Sequence, residues 1–86
     1  MPEICRFLGI SIRMYFNEHN PPHFHAVYND WRAQIGIVEL SLLEGSLPPR
    51  VLGLVLEWAL EHRNELLANW HSLRNDGTCL QIPPLA

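Results

Sequence analysis

Between Ile4 and Phe16, Ile4, Leu8, Ile10, Ile12, Met14 and Phe16 fall on one parity, and Ser11, Arg13 and Tyr15 on the other. This alternation predicts extended chain with one buried face. Gly9 predicts a short hairpin or a bulge within it. Asn17 to Pro22 is a loop by composition. Alternation resumes in His23–Tyr28 and Trp31–Leu40. Asn29-Asp30 between them suits a two-residue hairpin turn, because both residues tolerate positive φ. That turn fixes a register: Tyr28 opposite Trp31, Ala26 opposite Ala33, Phe24 opposite Ile35. All six share one face, and His23, His25, Val27, Arg32, Gln34 and Gly36 share the other. Gly36 then stands opposite His23 and leaves room beside its ring.

Ser41 to Pro49 reads as a connection. Beyond it the period becomes helical. Val51, Leu52, Val55, Leu56, Trp58, Ala59, Leu66, Trp70 and Leu73 cover one wide arc, with Trp70 as a core anchor. Glu57, Glu61, Asn64 and His71 lie opposite. Pro48-Pro49 suits a first helical turn and Gly77 a C-terminal cap, so one helix is predicted over Pro48–Leu73. Trp58, His62, Glu65 and Asn69 run along one edge of the apolar arc. That polar line serves either hydrogen bonds from helix to sheet or a pocket containing His62 and Glu65. Thr78–Ile82 predicts a short last strand, stopped by Pro83-Pro84. The expected architecture is two-layer α+β, a single domain over residues 1–86. An antiparallel sheet of three to four strands packs on one long C-terminal helix, with the short final strand as an addition.

A chain of 86 residues with 48% apolar content supports one modest core and is not disordered. The net charge of −3 gives no general electrostatic case for nucleic acid. All six basic residues are arginines, whose fork still permits a local RNA contact. Cys5 and Cys79 stand at opposite ends, form no Cys-x-x-Cys, and are expected as free thiols. Glu3 and Arg6 interrupt any signal-like apolar run. Val51–Leu60 contains Glu57 and is too short to span a bilayer, so the expectation is a cytoplasmic protein with no membrane partner.

The candidate chemistry concentrates in His19-Asn20-Pro21-Pro22-His23-Phe24-His25. The two prolines fix φ and remove two backbone donors ahead of His23. On a strand, His23 and His25 project to the same face. Paired imidazoles suit metal binding or proton transfer; the alternative is that they are surface residues on a strand whose other face makes the core.

The runs Met1-Pro2-Glu3-Ile4 and Phe16-Asn17-Glu18-His19-Asn20-Pro21-Pro22-His23-Phe24-His25-Ala26 resemble the opening of the prokaryotic family catalogued as domain of unknown function 4160. Leu47-Pro48-Pro49-Arg50, Glu57-Trp58-Ala59, His62-Arg63, Glu65-Leu66 and Asn69-Trp70 resemble its helix. The resemblance carries no established activity. It implies a gene setting beside another small protein, suggestive of toxin–antitoxin pairs.

Three readings follow. The first is a small soluble interaction module with a histidine-bearing site, acting on a small protein encoded nearby or on a second copy of itself. The second is a metal-dependent enzyme. His23 and His25 would be its ligands, His19 or His62 a third, and Glu65 an outer-shell group or base. The metal would be a divalent transition ion such as Zn, Ni, Cu, Mn or Fe. The third is a metal-free RNA-cleaving site with His23 and His25 as acid and base and Arg13 or Arg32 on the phosphorane. The spacing matches no zinc signature, and the acidic charge weighs against RNA.

Overall fold

The alternating first half folds into a five-stranded antiparallel sheet, its strands in chain order. These are β1 (Glu3–Phe7), β2 (Ile10–Arg13), β3 (His23–Tyr28), β4 (Trp31–Gly36) and β5 (Leu42–Gly45). The computed structural model describes residues 3–85; Met1 and Pro2 of the opening motif lie outside the described residues. The β3–β4 pair has the register set by the Asn29-Asp30 turn, from Tyr28 opposite Trp31 to His23 opposite Gly36. Asn29 takes the left-handed conformation the turn needs (φ 52°). Phe24, Ala26, Ala33 and Ile35 are buried, whereas Trp31, at the hairpin tip, is exposed.

Four expectations are corrected. The first is the single buried parity of Ile4–Phe16: the hairpin expected at Gly9 is present, with Leu8-Gly9 as its turn (φ of 50° and 78°), and it changes which residues face inward. This two-residue turn sets Phe7 opposite Ile10, so Cys5 and Phe7 face the core and Leu8 stands in solvent. A bulge at Ile4 buries that residue beside Cys5. Phe16, beyond the end of β2, is also exposed.

The connection after β4 contains the fifth strand. Every residue of β5 is exposed, so no alternation marks it. Gly45 is required there: its φ is 78°, and a Cβ would come within 2.2 Å of the Arg32 carbonyl oxygen.

The single helix is two, α1 (Pro49–Glu61) and α2 (Arg63–Asn75). His62 is the joint, with φ −119° and ψ 24°. Its N–H is shared between the Trp58 and Ala59 carbonyls. Its ring bonds Glu65 in the first turn of α2, where a carboxylate also suits the helix dipole. Val51, Val55, Trp58 and Ala59 of α1 and Leu66, Trp70 and Leu73 of α2 are buried.

Thr78–Ile82 is not a strand. The Asn69 side chain takes both backbone groups of Leu80, at 2.8 Å each, and so holds this segment along the helix. One backbone bond, from the Ile82 N–H to the Ile4 carbonyl (2.9 Å), reaches β1. The polar line at the helix edge therefore serves hydrogen bonds mainly to the tail and to the helix joint. Trp58 is the centre of the core. It packs on Phe7 and Phe24 at 5.7 and 5.9 Å, and its Nε1–H donates to the Pro83 carbonyl. Among the described residues, no helix is long and apolar enough to cross a membrane.

Removing a fully buried indole leaves a cavity that the surrounding groups fill only in part. Trp58→Ala should lower stability by about 3–5 kcal/mol in urea unfolding. Leu60→Ala, at an exposed site on the same helix, should stay within about 0.5 kcal/mol. Equal losses would contradict the packing described.

Candidate functional site

At one end of the sheet, β3 starts directly after the loop of residues 14–22. His23 and His25 project from β3 on the face opposite Phe24, with ring centroids 5.3 Å apart. The loop turns at Asn17 (φ 70°) and brings Glu18 back onto both rings. His25 Nε2–H donates to Glu18 Oε1 at 2.5 Å. His23 Nε2 lies 3.5 Å from the same oxygen, an electrostatic contact that is too long for a good hydrogen bond. The ligand atoms of Glu18, His23 and His25 all lie within 4.8 Å of one another.

The orientation of His23 is fixed from behind. Its Nδ1 is 2.9 Å from the Pro21 carbonyl, which can only accept, so Nδ1 carries the proton. In the neutral ring, Nε2 is then a bare lone pair. That atom is buried and has no hydrogen-bond partner. The ring packs on Trp70 at 5.2 Å, and Trp70 is buried as expected. Tyr15 meets His25 edge-on at 4.5 Å. Arg74 donates from Nη1 to the Glu18 carbonyl at 2.7 Å and lies over the Trp70 ring at 5.5 Å. Helix α2 thus touches two members of the cluster, His23 through Trp70 and Glu18 through Arg74.

The other sequence candidates fall in different places. His19 is exposed and lines depressions on either side of the loop, about 390 and 310 Å³ in volume. Arg13 is directly opposite His25, but its Nε donates to the Ser11 hydroxyl, which in turn bonds Glu3. Arg32 is exposed opposite Val27. His62 pairs with Glu65 at 2.5 Å and packs on Trp58, outside the Glu18 cluster. The room expected beside His23 at Gly36 is taken up by Leu43, 3.6 Å from where a Cβ would stand.

Glu18 is the residue the sequence reading missed. It sits in a loop with no periodicity to place it. The available signal was compositional: a carboxylate next to the histidine motif, the usual third member of a two-histidine ligand set.

These features define a small α+β domain with a cluster of two imidazoles and one carboxylate at the sheet end. The chain belongs to the family described as Domain of unknown function (DUF4160), whose model matches residues 9–71. The match includes Glu18, His23, His25 and Trp70 and stops short of Arg74. No curated protein and no solved structure matches the chain.

Burial alone would raise the Glu18 carboxyl. The hydrogen bond from His25 and the charges of the two imidazoles outweigh it and hold the group below the usual carboxylate range. A carboxylate lowered in this way stabilises the fold fully above its unfolded value, near 4.5, and loses that contribution as the pH falls through the lower folded value. Glu3 and Asp76 are also held low, so the informative quantity is a difference. Urea midpoints measured through the acid range should show the wild-type advantage over Glu18→Gln shrinking on acidification. A constant gap would mean that Glu18 does not titrate against the histidines.

Proposed function

We propose that this domain binds a divalent transition metal through His23, His25 and Glu18. The observation that carries the reading is the buried, unpartnered Nε2 of His23, oriented by a backbone carbonyl on Nδ1 and converging with two further donors. An unpaired buried polar atom costs stability, and orientation through the far ring nitrogen is the usual support of a metal-bound histidine. Two imidazoles and a carboxylate suit Zn or Fe(II) and leave coordination positions open. When bound, the metal would supply Lewis acidity or an activated water. The protein's part is to hold His23 through Pro21 and Trp70, and Glu18 through Arg74. The burial of His23 favours this reading over a metal-free acid–base pair acting on RNA. Arg13, turned to Ser11, is not aimed at the site.

Metal at about 100 times its Kd should stabilise the chain by about 2.7 kcal/mol in thermal or urea unfolding. Zn, Ni, Cu, Mn and Fe(II) should each be titrated into protein freed of metal by chelation. His23→Gln and His25→Ala should abolish the effect. No stabilisation by any of these ions would overturn the reading.

A second reading, a small cytoplasmic module acting on a protein partner, rests on a separate observation. The β1 edge is held by the tail at Ile4, whereas the β5 edge is exposed and carries Leu42 and Leu43 beside Val38. An unprotected apolar edge favours pairing with an extended segment of another polypeptide. Binders selected from displayed extended peptides should protect the amides of β5 from hydrogen exchange, and Leu43→Asp should weaken them. Protection elsewhere would reject β5 as the contact.

A further inference from the structure

Resting on the metal reading, we infer that the depression beside the cluster selects a ligand with a cationic tail, and that Glu44 is the selecting residue. The ligand would give the metal an oxygen donor and place an ammonium or amine on Glu44.

Access comes first. His23 is closed from behind by Trp70, and His25 is flanked by Tyr15. The depression of about 310 Å³ is lined by Glu18 and His23 themselves, and its further wall is made by Gln34, Leu43 and Glu44. Two of the three cluster residues thus line a depression that opens to the outside, with the His23 Nε2 buried just behind its wall.

Charge comes second. The sheet register aligns His25, Gln34 and Glu44 directly across β3, β4 and β5. No arginine lines the depression. Arg13 is in the same row but on the far side of His25, held by Ser11, and Arg32 is two rows away opposite Val27. Among the described residues, Glu44 is in no ion pair. A divalent ion on two neutral imidazoles and Glu18 keeps a net positive charge. The depression therefore has a positive end at the cluster and a negative end at Glu44. Two strand spacings separate the β3 and β5 positions, roughly 10 Å. Leu43, next to Glu44 on β5, also lines the depression and offers an apolar wall to an aliphatic stem. The complementary molecule has an oxygen-bearing head, a short methylene chain and a cationic end, which is the chemistry of an ω-amino acid or a basic side chain.

The test uses the full chain loaded with Co(II), whose visible absorption reports coordination. Three hydroxamates of similar length are compared: 6-aminohexanohydroxamate, hexanohydroxamate and adipate monohydroxamate. The amino compound should bind about fivefold tighter than the neutral one, the size of a partly exposed ion pair, and the preference should fade at high salt. Glu44→Gln should remove the preference and Glu44→Lys should invert it toward the adipate compound. Both variants should keep the wild-type Co(II) affinity. Equal binding of the three, or a preference indifferent to Glu44, overturns the inference and leaves the metal site standing. Absence of any Co(II) spectrum overturns the metal reading and this inference together.

Discussion

The register of β3 against β4 is the constraint on which the rest of the structure depends. Phe24 and Ala26 form the core wall under Trp58, while His23 and His25, between and beside them, form the cluster. Because side chains alternate with a period of two, no adjustment can alter one set without the other. A slip by one residue would drive imidazoles against Trp58 and expose Phe24. The hydrophobic layer therefore specifies the position of the polar site, and the many apolar contacts of the core hold a geometry that three polar residues could not hold alone.

The cluster also departs from what stability alone would favour. A buried imidazole nitrogen without a partner is a cost in a domain small enough for its core to be modest. Replacing His23 by an apolar residue would be an ordinary solution for a position packed on Trp70. Instead, the Pro21 carbonyl, the Trp70 ring and the Glu18 carboxylate surround it with groups that fix the direction of its lone pair. Local conflict of this kind, supported by consistent packing all around it, is the usual mark of a site held ready for something outside the chain.

The sequence was most legible where two independent signals agreed. The Asn29-Asp30 turn and the alternation on both sides of it specify one register, and that register is found. It was least legible where a pattern continued through a change of structure, or where no pattern existed. Ala59 and Leu66 stand two helical turns apart, so the apolar arc runs on across His62 as if the helix did not break there. The residues of β5 face solvent on both sides and give no period. Leu80 looked like a strand residue until the Asn69 amide claimed its backbone. In the site, His23 and His25 were legible from their two-residue spacing. Glu18 was not, because its approach depends on how a non-periodic loop turns at Asn17 and is tied down by Arg74, far along the chain.

That last tie bears on how the domain comes into being during synthesis. The cluster residues lie at positions 18, 23 and 25, but the groups that back them, Trp70 and Arg74, belong to the second helix. A nascent chain that has already formed the β3–β4 hairpin still has His23 open to water and the Glu18 loop untethered. Only when the second helix docks does the ring gain its wall and the loop its anchor. The cluster thus draws its support from residues synthesised well after its own, and a chain truncated before that helix would carry Glu18, His23 and His25 without the Trp70 wall and the Arg74 tie.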